Sequence, residues 1–414
     1  MKLNAVIPAS GVMDVEEFAR RHRGVHRERT PFAAELLEFF GRFSRAIFQS
    51  REASRYPELT ALAYWMRPAE LERLRAEFHA AVPADTVVMP RGTVFHIPPG
   101  NVDTIFVYSL VLAALMGNTN IIRLSDRPSP QTDILVDLLG RQIDAGGGSF
   151  EGLVSVVRYG HDAQINAALT ELCDCRVIWG GDNTVRTIRA TPLPPHALEL
   201  VFPDRYSLAA IDAGAYLALA EADRPAIAAD FFNDAFWFDQ MACSSPRLVV
   251  WCGGENDVAA ASSLFWFGLE RELEHRAYIA QPAVSVRRLG FSCEVAADQA
   301  LSAHVHGRYF TRLVVPSLDG FSREHCGGGL FFEAAVESLE HLVPFITRRD
   351  QTISYFGFAR RQLENLAGML MARGVERIVP IGQALKFGRF WDGHDMLMSF
   401  GRYIHIITPP ARKR

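Results

Sequence analysis

The stretch PRGTVFHIPPGNVDTIFVYSLVLAALMGNTNIIRL, residues 90–124, decides the fold of this chain. Residues 93–97 predict a strand, and the rigid turn Pro98-Pro99-Gly100-Asn101 places Asn101 at the end of that strand. The apolar segment 104–116 predicts a buried helix that ends at Gly117-Asn118, and residues 120–124 predict the next strand. A strand, a helix and a strand in this order indicate a parallel sheet covered by helices.

The same alternation continues on both sides of this stretch. Residues 153–157 and 176–179 predict strands, and a second α/β unit begins with a strand at 206–211. Residues 15–81 are helical in pattern. The turn Gly180-Gly181 separates a strand from a helix, an arrangement that exposes backbone N–H groups to a phosphate. Residues 403–408 predict an apolar strand, which we expect to pair with a sheet of the same or another subunit.

Composition limits the class of protein. The chain has 414 residues, of which 49% are hydrophobic and 22% charged, and a formal net charge of −4, so we expect a folded protein whose main partner is neither nucleic acid nor a membrane surface. The apolar run 102–115 contains Asp103 and is too short to span a bilayer. No signal peptide is evident at the N-terminus, and we expect a cytoplasmic location.

Six scattered cysteines fit a reducing compartment rather than a disulfide framework. Cys173 and Cys175 have no matching second pair, so no metal site is expected. Cys243 lies in the segment FDQMACSSPR, residues 238–247, between a predicted helix and the strand 248–252. An accessible thiol among small residues has backbone N–H groups around it, as a nucleophile requires. The alternative is that Cys243 is a small buried apolar side chain.

Two segments resemble the aldehyde dehydrogenase superfamily. PRGTVFHIPPGN, residues 90–101, is similar to the family pattern Pro-x-Gly-Val-Val-x-x-Ile-x-Pro-Trp-Asn. AALMGNTNIIR, residues 113–123, is similar to Ala-x-Ala-x-Gly-Asn-Thr-Val-Val-Leu-Lys at nearly the family's spacing. Three further segments resemble the fatty acyl-CoA reductases of the bacterial luciferase system: DQMACSSP (239–246), QTISYFG (351–357), and RIVPIG (377–382) followed by WDG (391–393).

The resemblance implies an α/β, aldehyde dehydrogenase-like fold with a Rossmann-type cofactor domain and an α/β catalytic domain. The expected division of the chain has four parts: a helical N-terminal region belonging to the cofactor domain (1–85), the NAD(P)-binding domain (86–205), the catalytic domain with the cysteine (206–385), and a C-terminal segment with an oligomerisation strand (386–414).

The resemblance also implies roles for individual residues. Cys243 corresponds to the nucleophile, Asn101 to the side-chain donor for the oxyanion, and Glu199 to the general base of hydrolytic members. The residues VFPD (201–204) replace the Gly-Gly-Lys that follows this glutamate in the family, so a structural role for Glu199 remains open. The implied cofactor-binding positions are Pro99, Gly100, Arg123, Ser125, Asp126, Gly180, Gly181 and Trp391.

The implied reaction is NADPH-dependent reduction of a long-chain acyl-CoA or other acyl thioester to the aldehyde through an acyl-Cys243 intermediate. Arg123 favours a 2′-phosphate and Asp126 a free ribose hydroxyl, so NADH is the alternative cofactor. The implied partners are an acyl-protein synthetase and further copies of the chain. Two other functions remain open: a hydrolytic aldehyde dehydrogenase that uses Glu199 as its base, and a non-catalytic partner of an acyl-activating enzyme.

Overall fold

The computed structural model describes residues 1–23, 29–100 and 102–409. The chain divides into two compact units, one formed by Met1–Pro203 with Phe387–Arg414 and the other by Asp204–Lys386. The N-terminal and C-terminal parts of the chain both belong to the first unit.

The first unit contains a seven-stranded sheet. Its strands are β1 (Lys2–Ile7), β2 (Gly11–Asp14), β4 (Thr93–Ile97), β5 (Thr119–Leu124), β6 (Val154–Arg158), β7 (Cys175–Trp179) and β8 (Leu198–Phe202), and β3 (Thr86–Pro90) lies outside it. Its helices are α1 (Val15–Arg23), α2 (Ala34–Gln49), α3 (Pro57–Trp65), α4 (Pro68–Ala81), α5 (Ile105–Leu115), α6 (Pro130–Ala145), α7 (Ala163–Thr170) and α8 (Asp182–Arg189), with a short 3-10 turn at Ala53–Arg55.

The strand order is β2-β1-β6-β5-β4-β7-β8, and the five strands from β4 to β8 are parallel. From β4 the chain continues to β5 and β6 on one side of β4, and it then crosses to β7 and β8 on the other side. The order therefore reverses between β4 and β7, which is the switch point of a doubly wound sheet, and ligands bind such sheets outside the carboxyl ends of the strands.

Helices cover both faces of this sheet because successive strand residues alternate between the faces. In β4, Val94 packs with α2 to α6, whereas Phe95 packs with α1, α7 and α8. Helix α6 begins at Pro130, since the Ser129 hydroxyl accepts from the Thr132 N–H and Pro130 occupies the first turn.

The sequence had suggested a helical N-terminal region, but the structure also contains strands there. Before α1 the chain forms the β1–β2 hairpin, which adds antiparallel to β6 at the edge of the sheet. Leu3, Ala5 and Ile7 are buried while Lys2 and Asn4 are exposed. This period-two pattern is the local signal of a strand, and it could have identified β1.

The second unit contains another seven-stranded sheet, of order β11-β12-β13-β10-β9-β14-β15. Its strands are β9 (Tyr206–Asp212), β10 (Pro246–Cys252), β11 (Ala303–His306), β12 (Thr311–Val314), β13 (Leu330–Val336), β14 (Asp350–Phe356) and β15 (Arg377–Pro380). Its helices are α9 (Ala213–Leu217), α10 (Arg224–Phe236), α11 (Glu255–His275), α12 (Pro282–Asp298) and α13 (Arg360–Leu370), with 3-10 turns at Glu221–Asp223 and Leu339–Phe345. All strands except β11 are parallel to their neighbours.

The C-terminal segment completes the first unit with β16 (Phe390–Trp391), β17 (His394–Asp395), α14 (Met396–Phe400) and β18 (Gly401–His405). The predicted terminal strand corresponds to β18, which pairs antiparallel with β3. Apolar side chains of β18 and of the residues that follow it are exposed, among them Tyr403, Ile406 and Ile407. Pairing of this ribbon with another subunit remains a prediction.

Candidate active site

Cys243 lies in a tight turn between α10 and β10. The Ser245 N–H donates to the Ala242 carbonyl at 3.0 Å and closes the turn, so Cys243 and Ser244 are its two central residues. The side chain of Cys243 is half-buried, and its Sγ lies 4.0 Å from the Ser244 Oγ. A residue at the centre of a turn projects from the end of the sheet, which gives the thiol the accessibility that a nucleophile needs.

Hydrogen bonds to neighbouring strands fix this turn at the amino-terminal edge of the sheet. The Ser207 hydroxyl on β9 donates to the Cys243 carbonyl at 2.6 Å. The Ser244 hydroxyl donates to Gln351 Oε1 on β14 at 3.3 Å, and the Ser245 hydroxyl donates to the Asp234 carbonyl on α10 at 2.7 Å. The turn is therefore held from three sides by elements of one unit.

The approach to the turn is conformationally unusual. Asp239 and Gln240 have φ values of 47° and 62°, which non-glycine residues adopt only when the surroundings hold them there. The fully buried Gln240 supplies this hold, since its Nε2 donates to the Pro246 carbonyl at 2.9 Å and its Oε1 accepts from the Gly329 N–H at 3.1 Å. Gln240 thus links the cysteine segment to a glycine run at 327–329.

The glycine run packs directly against the cysteine segment. The Gly328 N–H donates to the Asp239 carbonyl at 2.7 Å. Gly327 has a φ of +66°, and a Cβ added there would lie 2.5 Å from the Met241 Sδ and 3.1 Å from the Asp239 carbonyl oxygen. Both conformation and space therefore require glycine at residue 327.

Gly327→Ala is expected to destabilise the protein by about 1–3 kcal/mol, because it combines a left-handed backbone with a clash against the cysteine segment. Urea unfolding measures the change. The matched control is Gly290→Ala on the exposed surface of α12, where a Cβ would meet no atom within 4 Å, and this variant should not be destabilised. Equal stability of Gly327→Ala and wild type would contradict the packing described here.

The other cysteines differ from Cys243 in environment. Burial raises the pKa of Cys173 and Cys252 to about 12 and that of Cys326 to about 11, and Cys175 is shifted in the same direction. Thiols so shifted stay protonated and unreactive at neutral pH. Cys293 is exposed on α12, outside the turn. Among the six, Cys243 is the partly accessible thiol that lies in a turn built by the sheet.

The predicted cofactor-binding residues lie at the carboxyl edge of the first unit's sheet. Pro99, Gly100 and Ser125 line one pocket beyond the ends of β4 and β5. Asp103 and Arg127, which the sequence had not indicated, line the same pocket. The Asp103 Oδ1 accepts from the Ser129 and Thr132 hydroxyls at 2.5 and 2.7 Å, next to the N-terminus of α6.

Arg123 and Asp126 lie beside the loop that follows β6. The Arg123 Nη2 donates to the Tyr159 and Gly160 carbonyls at 3.3 and 3.2 Å, and its guanidinium stacks 5.3 Å from the Tyr159 ring centroid. Asp126 is exposed, and a Cβ at Gly160 would lie 3.4 Å from its Oδ2. The guanidinium of Arg123 thus already has protein acceptors, whereas the carboxylate of Asp126 faces solvent.

Gly180 and Gly181 follow β7 and begin α8. The Gly180 N–H donates to the Phe202 carbonyl at 3.1 Å, which holds the turn against β8. A Cβ at Gly181 would meet nothing within 4 Å, so open space lies in front of the first turn of α8. Helix N-termini bind phosphates in such space, although the acidic Asp182 in the first turn opposes a negative charge.

Trp391 is only 5% exposed and packs within an aromatic cluster. Its ring centroid lies 5.0 Å from that of Tyr108 and 6.1 Å from that of Trp179, the last residue of β7. This environment favours a core role and leaves little of the indole surface for a cofactor.

Glu199 lies near the amino end of β8, in register with Arg176 on β7. Its Oε2 pairs with Arg176 Nη2 at 2.5 Å, and its Oε1 pairs with Arg189 Nε at 2.6 Å. The Arg176 side chain is only 2% exposed, so this carboxylate neutralises a buried cation. The geometry favours the structural alternative, because both carboxylate oxygens are held and the carboxyl edge of the sheet lies three residues further along the strand.

Asn101, the predicted oxyanion donor, lies outside the described residues. Among the residues that the structure describes, no three His, Cys, Asp or Glu side chains are grouped so that they could hold a metal ion. Nor does any helix in the described part of the chain have the length and apolar character needed to cross a membrane.

Sequence reasoning missed several residues that build the cysteine turn, namely Ser207, Arg247 and the run at 327–329. The three consecutive glycines were a visible signal of unusual backbone. Ser207 carries no local signal, since only the pairing of β9 with β10 brings it to the turn. Arg247 is close to Cys243 in sequence, but its burial is not evident from the sequence.

Comparison with known proteins identifies the family. A sequence model described as acyl-CoA reductase (LuxC) matches residues 63–285, which is more than half of the chain. The chain belongs to this family. It is 25% identical over 328 residues to a long-chain acyl-protein thioester reductase of Aliivibrio fischeri and 24% identical over 328 residues to that of Photorhabdus laumondii. Each match covers 77% of this chain and 64% of the relative, so the chain spans somewhat less than two thirds of these proteins.

Solved structures show the same fold. A putative aldehyde dehydrogenase from Burkholderia cenocepacia superposes with a TM-score of 0.67 at 15% identity, covering 98% of this chain and 95% of that chain. An NAD-dependent benzaldehyde dehydrogenase from Corynebacterium glutamicum superposes with a TM-score of 0.65 at 14% identity, covering 98% and 92%. The predicted aldehyde dehydrogenase-like α/β fold is confirmed.

Proposed function

We propose that this LuxC-family protein reduces a long-chain acyl thioester, such as an acyl-CoA, to the aldehyde through a covalent acyl-Cys243 intermediate. The observation that carries the proposal is the turn at 242–245, which presents a half-buried thiol at the edge of the second unit's sheet. The related long-chain acyl-protein thioester reductases support this choice of substrate class.

Cys243 performs the first step of the proposed reaction. Its thiolate attacks the carbonyl carbon of the donor thioester, and the tetrahedral oxyanion collapses with release of the donor thiol. The acyl group remains bound to the Cys243 Sγ. We assign the Cys243 backbone N–H and the Asn101 amide as oxyanion donors, and the loss of one such donor typically costs about 2.7–4 kcal/mol of barrier.

A reduced nicotinamide cofactor, when bound, would supply a hydride to the carbonyl carbon of the enzyme-bound thioester, and the Cys243 Sγ would leave as the thiolate when the aldehyde forms. The residues of the first unit fit such a cofactor: the open space before α8 suits a phosphate, and the exposed Asp126 carboxylate suits a ribose hydroxyl. The Arg123 Nη2 donates to the Tyr159 and Gly160 carbonyls, so a 2′-phosphate would have to bind the other N–H groups of this guanidinium. We propose NADPH as the physiological cofactor, with NADH as the alternative.

Glu199 has no chemical step in this proposal. Reduction needs no activated water, and both oxygens of this carboxylate are engaged by Arg176 and Arg189. This arrangement disfavours the hydrolytic aldehyde dehydrogenase alternative, which requires a free base.

Glu199→Gln is expected to destabilise the protein by about 3–5 kcal/mol, because it leaves the buried Arg176 without its counter-charge. The rate of thioester reduction per folded molecule should stay near that of the wild type. Thermal melting and single-turnover assays at low temperature separate the two effects. A variant that melts like the wild type but has lost turnover would indicate a catalytic base instead.

The proposal is tested by incubating the protein with acyl-CoAs of increasing chain length and with either NADPH or NADH, while cofactor absorbance and aldehyde are followed. We expect cofactor oxidation with an equal amount of aldehyde for long-chain donors. Aldehyde oxidation without thioester reduction would favour the hydrolytic alternative. The absence of both thioester reduction and aldehyde oxidation would favour a non-catalytic partner of an acyl-activating enzyme.

We further propose that the protein acts in the cytoplasm, receives acyl groups from an acyl-protein synthetase and forms a homo-oligomer. The support for oligomerisation is the β3–β18 ribbon, whose exposed Tyr403 and Ile404 offer an apolar edge. None of the six cysteines, all of which lie in the described part of the chain, forms a disulfide, which fits a reducing compartment.

A further inference from the structure

Arg247 is the second residue of β10 and follows Cys243 by four positions. The residue is only 1% exposed. Its Nη1 donates to the Arg205 carbonyl at 2.5 Å and its Nη2 to the Ala242 carbonyl at 3.3 Å. Ala242 is the residue directly before Cys243, so this side chain joins the start of the cysteine turn to the segment that enters β9.

Arg247 has neither the ion pair of the buried Arg176 nor the four carbonyl acceptors of the buried Arg288. Arg176 pairs with Glu199 and Arg323 with Asp350, whereas no carboxylate of the described residues lies within 4 Å of Arg247. Its Nε is buried and has no acceptor within the described part of the chain. A buried guanidinium without a counter-ion costs several kcal/mol, which calls for a compensating negative charge nearby.

Of the charged and titratable groups around Arg247, Cys243 is the one that can supply this negative charge. The charges that act on Arg247 belong to Asp204, Tyr206, Cys243 and Arg349. Asp204 is exposed and therefore screened by solvent. Burial raises the pKa of Tyr206 far above the physiological range, so the phenol is neutral, and Arg349 is itself a cation.

His325 supports the same assignment. Burial lowers the pKa of this imidazole to about 3, and the positive charges of Arg247, Arg349 and Arg287 add to the shift. The imidazole is therefore neutral at physiological pH, so His325 neither competes for an anion as a cation nor supplies one to Arg247. Because the Asp204 carboxylate is screened by solvent, the cationic field of these arginines stabilises a thiolate formed within it.

We propose that Arg247 is a positioning residue that stabilises the thiolate of Cys243, with its charge as counter-ion and its two carbonyl contacts holding the turn. The inference rests on the proposed function for its purpose, since a preformed thiolate is what attack on a thioester needs. The state of the thiol can nevertheless be measured without any substrate or cofactor.

The test is the pH dependence of Cys243 alkylation by iodoacetamide, read by peptide mass spectrometry in the full-length protein. In the wild type we expect an apparent thiol pKa well below the ordinary value of about 8.5. Arg247→Gln should raise it by about one unit or more, which slows alkylation about tenfold at a pH below both values. Arg247→Lys should restore much of the shift because it keeps the charge.

Arg288→Gln is the matched control, since Arg288 is also buried and also donates to carbonyls, those of Tyr309 and Gly328, but the thiol whose charge acts on it is that of Cys326. This variant should melt at a lower temperature with an unchanged alkylation profile. Circular dichroism verifies that each variant is folded. An ordinary thiol pKa in the wild type would overturn the proposal even if no Arg247 variant folded, and so would an unchanged profile in folded Arg247→Gln. Failure of thioester reduction alone would instead refute the proposed function.

Discussion

Cys243→Ser is expected to lower the rate of acyl thioester reduction by roughly a thousandfold or more, because a serine hydroxyl is not ionised at neutral pH and cannot replace the thiolate as nucleophile. The substitution is nearly isosteric, and the Cys243 carbonyl that Ser207 holds at 2.6 Å is unaffected. Stability should therefore remain close to that of the wild type. Initial rates of cofactor oxidation at saturating thioester measure the effect.

Cys293→Ser is the matched control for this experiment. Cys293 is an exposed thiol on α12 of the same unit, so its loss should leave turnover unchanged. Cofactor oxidation that survives in Cys243→Ser, or that disappears in Cys293→Ser, would contradict the assignment of the nucleophile.

Asp350→Ala should destabilise the protein as strongly as any substitution considered above. Asp350 begins β14, is 2% exposed, and accepts from Arg323 Nε at 3.0 Å and Nη2 at 2.8 Å. The Thr347 N–H and hydroxyl donate to the same carboxylate at 2.6 and 3.0 Å. Removal of the carboxylate leaves a buried guanidinium unpaired, so we expect a loss of about 3–5 kcal/mol in the free energy of unfolding, measured by urea titration.

The comparison for Asp350→Ala is Glu364→Ala. Glu364 pairs with Arg360 at 2.7 Å on the surface of α13, where both side chains are more than half exposed. Surface pairs of this kind contribute little, so no measurable destabilisation is expected. Equal effects of the two substitutions would show that the Arg323–Asp350 pair does not hold the edge of the sheet beside the cysteine turn.

Much of this architecture follows from local sequence patterns. The predicted strand at 93–97 coincides with β4, and the predicted buried helix at 104–116 corresponds to α5. Elements that depend on distant partners were harder to predict. Strand β13 was missed because Glu333 interrupts its apolar run. This carboxylate is tolerated because the indoles of Trp251 and Trp266 donate to it at 2.7 and 3.0 Å and Arg312 pairs with it at 3.3 Å.

The candidate site likewise combines features that local sequence predicts with features that depend on distant partners. The position of Cys243 between a helix and a strand was predictable, since α10 and β10 are locally encoded. The engagement of the Glu199 carboxylate was not predictable, because Arg176 and Arg189, which bind it, lie on other elements 23 and 10 residues away. Arg247 was missed for a related reason: its isolated charge becomes evident only when the burial of its surroundings is known.

The central claim, an acyl-Cys243 intermediate, is tested most directly by mass spectrometry of the protein after incubation with a long-chain acyl-CoA and no cofactor. The account predicts a mass increase equal to one acyl group, located on the peptide that contains Cys243. Addition of NADPH should remove this adduct and release one equivalent of aldehyde. An unmodified Cys243 peptide in a protein that still forms aldehyde when NADPH is present would contradict the account.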